Sequence, residues 1–335
     1  MLIATSRISI CRFIWPLLLI GCQSAQATDT LAQAADEAAV LSETPVTAES
    51  DKSPSWIDSR YDQITERGDK LATWVDGFFN QTRSVEDTAS TLIRIRPEYQ
   101  WDEDQGSDWK LRATGRLQLP SLSDRLSLIF ISEDGDFANE FYEPGLASDG
   151  SSTVGVQYRV SEAKHSRIDL TAGLKAGPKG KLGTRYRYQL PFWKRNRFRF
   201  SEELYWIGGD GFGTLTRIDL DRSFGKDTLI RWANKARYSE ESNGVEWSSQ
   251  LAWVRRLNEK SAINTAAFIR GETDPRYLKS RGFSASYRRE FLRRWLFWEL
   301  QPRYEWRKDN PGENRNGVFS TEFRLEIVLG DRELI

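Results

Sequence analysis

The chain has 335 residues, with 48 Lys+Arg set against 48 Asp+Glu and a single histidine. That balance excludes the strong basic field of a nucleic-acid-binding domain, and the length fits one large domain or two ordinary ones. Mean hydropathy is negative, which excludes a bundle of membrane helices, yet the chain holds 13 Trp, 11 Tyr and 17 Phe. A wall in which only alternate residues are apolar accounts for both facts.

Residues 1–27 read as a signal peptide. Arg7 and Arg12 give a positive start, Phe13 to Gly21 a short apolar stretch, and Ala25-Gln26-Ala27 a small-residue cleavage site. Cys11 and Cys22 both lie in this segment, so cleavage after Ala27 leaves no thiol for disulfides or metal sites. Leu19-Ile20-Gly21-Cys22 resembles a lipobox, and lipidation at Cys22 is the second reading. Residues 28–52 are small and polar, a disordered linker. Over 53–86, Trp56, Tyr61, Ile64, Leu71, Trp74, Val75, Phe78 and Phe79 recur at helical spacing after Ser53-Pro54-Ser55, which predicts an amphipathic helix.

From about Thr91 the apolar period becomes two. Ile93, Ile95, Tyr99 and Trp101 alternate with Arg94, Arg96, Glu98 and Gln100, and Phe319, Phe323, Leu325 and Ile327 alternate with Ser320, Glu322, Arg324 and Glu326. Successive side chains on a strand face opposite ways, so each segment has an apolar and a charged face. Strands are expected at 91–102, 108–119, 124–133, 152–161, 166–175, 181–191, 196–207, 211–223, 228–239, 244–255, 261–272, 277–288, 294–307 and 317–329. That is about fourteen, within 12–16, and each is long enough to span a bilayer.

A soluble sandwich also alternates. Three features favour a closed barrel over residues 90–330. The polar face is charged along whole strands. Aromatic residues collect at strand ends on the apolar face: Trp101, Trp109, Phe212, Tyr238, Trp247, Tyr304 and Trp306 toward one rim, and Tyr158, Tyr188, Phe198, Trp253 and Trp298 toward the other. Amphipathic rings favour the lipid–water boundary, so these are girdles. Connections also alternate in chemistry. One set is acidic or glycine-rich (Asp102-Glu103-Asp104, Glu133 to Asp149, Gly208-Gly209-Asp210-Gly211, Glu240-Glu241, Asn310 to Asn316). The other is basic (Lys194-Arg195, Arg222 with Lys226, Arg255-Arg256, Arg288-Arg289 with Arg293-Arg294). The basic connection from Lys175 to Lys181 breaks the trend.

On these residues the chain resembles the Gram-negative outer-membrane β-barrel proteins, including porins and small substrate-specific channels, over roughly 91–329. The resemblance implies an all-β, up-and-down antiparallel transmembrane barrel in the outer membrane, with both termini periplasmic. It also implies contact with outer-membrane lipids and lipopolysaccharide, and with the barrel-assembly machinery during biogenesis. The acidic loops would face outward, where divalent cations link them to lipopolysaccharide. Many such proteins end on an aromatic residue, whereas here a tail, 331–335, follows the last strand. The helix over 53–86 is expected to pack on the periplasmic end or lie on the inner leaflet; the other reading is a plug or gate.

Little supports catalysis. His165 is the only histidine, adjacent residues such as His165 and Ser166 point apart on a strand, and no Gly-x-Ser-x-Gly occurs, so no enzyme is expected. Gly211-Phe212-Gly213 and Gly180 to Gly183 open no helix and read as turn glycines rather than phosphate loops. No metal or cofactor is expected. Strict alternation would point Glu202 into lipid; a register correction near the outer rim is the expected remedy, and a β-bulge that turns both Glu202 and Glu203 inward is the other reading.

The inward face is the informative constellation. Its basic members are Arg94, Arg96, Lys110, Arg112, Arg116, Arg159, Arg167, Arg185, Arg187, Arg197, Arg199, Arg217, Arg231, Lys235, Arg237, Arg270, Arg303 and Arg324. Its acidic members are Glu98, Asp169, Glu203, Asp219, Asp221, Glu246, Glu299, Glu305, Glu322 and Glu326. Arginine carries a fixed charge and forked donors suited to carboxylates and phosphates. The favoured expectation is a channel for passive diffusion of small solutes with weak anion preference. The alternative is a structural or envelope-assembly barrel whose lumen is filled by ion pairs.

Overall fold

In the computed structural model, residues 71–76, 78–79, 92–119, 122–131, 152–175, 177, 179–192, 195–242, 244–308 and 310–330 are described. The signal peptide with Cys11 and Cys22, the linker, most of the expected helix, the loop from Glu133 to Asp149 and the tail 331–335 lie outside them.

Alternating segments become strands because only edge-to-edge pairing satisfies their backbone while keeping apolar and charged faces apart. The chain forms β1 (Leu92–Asp102), β2 (Gly106–Gln118), β3 (Leu126–Ile131), β4 (Thr153–Glu162), β5 (Ser166–Lys175), β6 (Lys179–Phe192) and β7 (Asn196–Ile207). It continues with β8 (Gly211–Phe224), β9 (Thr228–Ser239), β10 (Glu246–Asn258), β11 (Ser261–Thr273), β12 (Arg276–Phe291), β13 (Arg293–Arg307) and β14 (Asn316–Gly330). Each strand pairs antiparallel with its sequence neighbours, and β1 pairs with β14 to close the barrel. Ile95 stands opposite Ile327 and Glu98 opposite Arg324, so the closing seam keeps apolar beside apolar and charge beside charge.

Burial alternates along the strands, with charged residues inside. β1 reads buried at Leu92, Arg94, Arg96 and Glu98, and β14 at Val318, Ser320, Glu322, Arg324, Glu326 and Val328. Leu111, Val154, Leu170, Leu182, Leu204 and Phe283 are exposed on the outer face. In a water-soluble protein this would be inverted; a continuous apolar exterior is stable against hydrocarbon.

Three elements depart most from the sequence reading, and β10, which runs on to Asn258 and takes in Arg255-Arg256, is one of them. β3 is shorter than 124–133. β12 runs past its expected end at 288 to Phe291 and takes in Arg289 of the basic connection. Alternation explains this last case: Arg288 faces inward to Glu326 at 2.9 Å, while Arg289 takes the other face.

Connections between β1–β2, β3–β4, β5–β6, β7–β8, β9–β10, β11–β12 and β13–β14 share one rim, and the remaining ones share the other with both ends of the barrel chain. The basic stretch from Lys175 to Lys181 lies on the acidic rim, where Lys175, at 3.2 Å, and Lys179 both hold Asp210 of the β7–β8 turn. That carboxyl is held below its ordinary value by the hydrogen bond from Lys179.

At the rim carrying the chain ends, the helical residues 71–76 and 78–79 meet inward-facing side chains. Leu71, Ala72, Val75, Phe78 and Phe79 form one apolar cluster with Leu229, Val254 and Ala262, with Phe297 against it. Asp76 reaches Arg231 at 2.6 Å and Arg197 at 3.4 Å, and also bonds Arg199. These partners are inward residues of β7, β9, β10 and β11, so the described turns occupy the mouth of the lumen.

Candidate functional site

The inner wall divides into arcs of different chemistry. Around β13, β14, β1 and β2 it is an arginine–carboxylate lattice. Arg94 lies 2.7 Å from Glu326, and Arg112 lies 2.9 Å from Glu98. Arg324 contacts Glu322 at 2.6 Å, Glu299 at 3.2 Å and Glu98 at 3.6 Å. Arg96 stands 3.9 Å from Glu98, and Arg116 donates from Nε to Ser127 Oγ at 2.9 Å. Alternation puts these residues on one face, and strand pairing places opposite charges side by side, which is how a buried guanidinium is compensated.

A second lattice runs from β5 to β9. Asp169 accepts from Arg167 at 2.8 Å and from Arg187. Arg185 meets Glu203 at 2.6 Å. Asp221 binds Arg199 at 2.9 Å and Arg231 at 2.7 Å, and Asp219 stands 3.7 Å from Arg199. Arg217 and Lys235 face each other across β8 and β9, both buried. Nearer the acidic rim, Arg237 pairs with Glu246 and Arg270 meets Glu305 at 2.5 Å. Lys110 and Arg159 lie near strand ends, on Asp108 at 3.9 Å and Glu162 at 2.8 Å.

The third arc, at mid-height of β10, β11 and β12, carries little charge. Its inward residues are Ser248, Gln250 and Ala252; Asn264, Ala266 and Phe268; and Ser280, Gly282 and Ser286. Arg303 of β13 leans over the Phe268 ring at 5.5 Å, and Arg270 at 5.2 Å, a cation–π pairing that keeps both guanidiniums against the wall. Phe268 faces inward and belongs to this arc rather than to a girdle.

Several inward residues escaped the sequence reading, Lys181, Arg288, Asp102 and Arg307 among the charged ones. Arg288 looked like turn material. Asp102 was read with the acidic connection, and Arg307 ended the predicted β13, yet the two pair at 2.8 Å across β1 and β13. For Arg307 the alternation with Leu300, Tyr304 and Trp306 was the signal available.

The aromatic residues expected to form girdles stand on the outer face of their strands. Trp101 and Trp109 are exposed, as are Tyr158 and Trp253, while Tyr188, Phe198, Trp247, Trp298 and Trp306 are half-buried among neighbouring rings and strands. Trp298 stacks on Phe323 at 6.5 Å, and Tyr304 meets Trp306 edge-on at 5.0 Å. His165 sits in the β4–β5 turn with Nδ1 3.1 Å from the Gln189 carbonyl oxygen.

Glu202 corrects an expectation. Register through β6, β7 and β8 is unbroken, with Glu202 opposite Tyr186 and Thr216, and Glu203 opposite Arg185 and Leu215. No bulge turns the pair inward. Glu203 is inside with Arg185, whereas Glu202 stays on the outer face. It accepts hydrogen bonds from the hydroxyls of Thr214 and, at 2.6 Å, Thr216. Two threonines on the next strand supply what a bulge would have supplied: local donors for a carboxylate turned away from water. Close by, Trp232 Nε1 donates to Ser249 Oγ at 2.9 Å, and Ser249 donates to Asn234 at 2.8 Å. The outer face of β7–β10 thus carries a small polar patch.

No protein-family model matches the chain, and no curated protein matches it. Among solved structures it is similar to OmpT, an outer membrane protein of Vibrio cholerae, at 10% identity over 72% of this chain and 98% of that one, with a TM-score of 0.41. It is similar to the outer membrane channel DcaP of Acinetobacter baumannii at 6% identity, covering 72% and 96%, with a TM-score of 0.44. An anion-selective porin from Comamonas acidovorans gives 9% identity, 72% and 98% coverage, and a TM-score of 0.40. All three are loose likenesses of barrel architecture.

Proposed function

We propose that the chain is an outer-membrane channel passing small solutes through a narrow, arginine-lined lumen with weak anion preference. The observation that carries this reading is the direction of the ion pairs. Each pair named between strands joins neighbours or strands two places apart, as in Arg288–Glu326 and Arg270–Glu305. The lattice therefore runs around the wall, whereas a filled scaffold requires pairs that cross the axis. Basic side chains outnumber carboxylates on that wall, so the local potential favours anions without any catalytic step.

The rim carrying the chain ends is then the periplasmic one, and the helical residues held there by Asp76 narrow that mouth. Acidic loops at the opposite rim would meet lipopolysaccharide through divalent cations, with the barrel-assembly machinery acting during insertion. Recording the purified full chain in planar bilayers under a KCl gradient tests the reading. Discrete steps with a reversal potential on the chloride side are expected, together with a shift toward cations in Arg96→Gln/Arg112→Gln. Absence of steps, or cation preference in the wild type, overturns it.

A further inference from the structure

We infer that the outer face of β10 to β13 holds a binding site for one bilayer lipid with an anionic phosphate head. A furrow in that face ends at an exposed cation.

The furrow follows from side-chain size. Outward positions at mid-height of β11 and β12 are small: Thr265 and Ala267 on the first, Ala285 on the second. Their flanks are large. Leu251 and Trp253 of β10 stand opposite Ala267 and Thr265, and Phe283 of β12 stands beside Tyr304 of β13. Small side chains between ridges of large ones leave two joined hollows of about 600 Å³ and 500 Å³, which share Leu251, Ala267 and Phe283. These three line the hollows with exposed side chains, so the furrow opens straight onto the membrane side of the wall.

The smaller hollow reaches Arg281 and Trp306. Arg281 is exposed on the outer face, opposite Ile269 on one side and Trp306 on the other. Its guanidinium lies 5.8 Å from the Trp306 ring, and among the described residues no carboxylate pairs with it. A cation on a lipid-facing wall is costly in hydrocarbon and calls for a counter-charge, which a ring face supplies only in part.

The order of these features along the strands selects the occupant. β12 starts at the acidic rim, so Arg281 lies nearer that rim and Ala285 deeper in the wall. Four residues of strand separate them, about 13 Å. A lipid of the adjoining leaflet has the same order, with phosphate at the boundary and acyl chain toward the bilayer centre. Forked guanidinium donors match phosphate oxygens. Ser249, two strands from Arg281 in the same register row, adds a hydroxyl beside the head. Free phosphate would leave the furrow empty. A second copy of the chain would fill it but would need to bring a carboxylate, and the outward Glu202 is already held by Thr214 and Thr216.

Native mass spectrometry of the delipidated, detergent-solubilised full chain tests the site. Dioleoyl phosphatidylglycerol is the probe, and dioleoylglycerol, with the same tails and no phosphate, is the control. One retained phosphatidylglycerol per chain is expected at concentrations where dioleoylglycerol is not retained. Arg281→Gln should weaken retention by about tenfold, the worth of one charge-assisted contact. Ala267→Phe fills the furrow, leaves the charge in place and should also weaken it. Heat-modifiable gel migration shows which variants are folded, and either folded variant suffices. Equal retention of the two lipids, or undiminished retention by a folded variant, means unspecific boundary lipid and overturns the proposal. Dimers or trimers of the delipidated chain that dissociate in Ala267→Phe assign the furrow to a second copy and overturn it as well. The site lies outside the barrel, so its fate is separate from that of the channel. Lipid retention without conductance steps spares this inference and sinks the channel; steps without selective retention do the reverse.

Discussion

Two arcs of one wall solve the same packing problem in opposite ways. From β13 through β14 to β1 and β2, long arginines and carboxylates interlock, and Arg324 alone serves Glu98, Glu299 and Glu322. Across β10 to β12 the inward side chains are short: Ser248, Ala252, Ala266, Gly282 and Ser286. The first arc is rigid because each buried charge is needed by several others. The second is built mostly of short side chains, with Phe268 and Gln250 as its longer members. The widest part of the lumen is therefore expected to lie off-centre, toward the second arc.

Removing a single arginine should break the first arc. Arg324→Ala leaves three buried carboxylates short of a cation, and urea titration of folding into lipid vesicles should show a loss of about 3–5 kcal/mol. A loss under 1 kcal/mol would mean that the lattice is solvated and not interlocked. Adding a single methyl should break the second arc. A Cβ at Gly282 would lie 2.3 Å from the Tyr304 carbonyl oxygen and 2.8 Å from the Glu305 Cα. Backbone cannot yield as a side-chain tip does, so Gly282→Ala should cost about 1–3 kcal/mol in the same assay.

Glu202 and Glu203 sharpen the contrast between the two faces of the wall. Glu203→Leu strands Arg185 inside and should destabilise by about 3 kcal/mol. Glu202→Leu removes a carboxylate from the lipid-facing side and should stabilise by about 1 kcal/mol, the gain reduced by the two threonine hydrogen bonds it gives up. Equal effects of the same sign would contradict the observed register.

The smallest effect belongs to the rim. Asp210 has its carboxyl lowered from 3.8 by the hydrogen bond from Lys179 and by Lys175. A depressed carboxyl stabilises the folded state above its unfolded value and loses that contribution as pH falls through the folded one. Asp210→Asn should therefore lower stability slightly at pH 7 and make no difference once both forms are protonated, well below pH 3.8. A constant difference across that range would show that the pairing carries no linkage.

Much of this was legible from residue order. Alternation of Ile93, Ile95 and Tyr99 with Arg94, Arg96 and Glu98 determines which side chains share a face, because the period of a strand is a property of its backbone and not of its surroundings. The same local rule located the strands. Pairing across long separations was not legible. Nothing near Arg288 announces Glu326, two strands on, and nothing near Asp102 announces Arg307, which it meets only after β1 closes on β14. Thr214 and Thr216 rescue Glu202 from the neighbouring strand, so a sequence reader sees a carboxylate that needs a bulge where the folded chain needs none. The helical residues around Asp76 showed their amphipathic spacing plainly, but only the assembled barrel offers Arg197, Arg199 and Arg231 together in one mouth. Periodicity is written residue by residue; partners are chosen by the register in which the sheet closes.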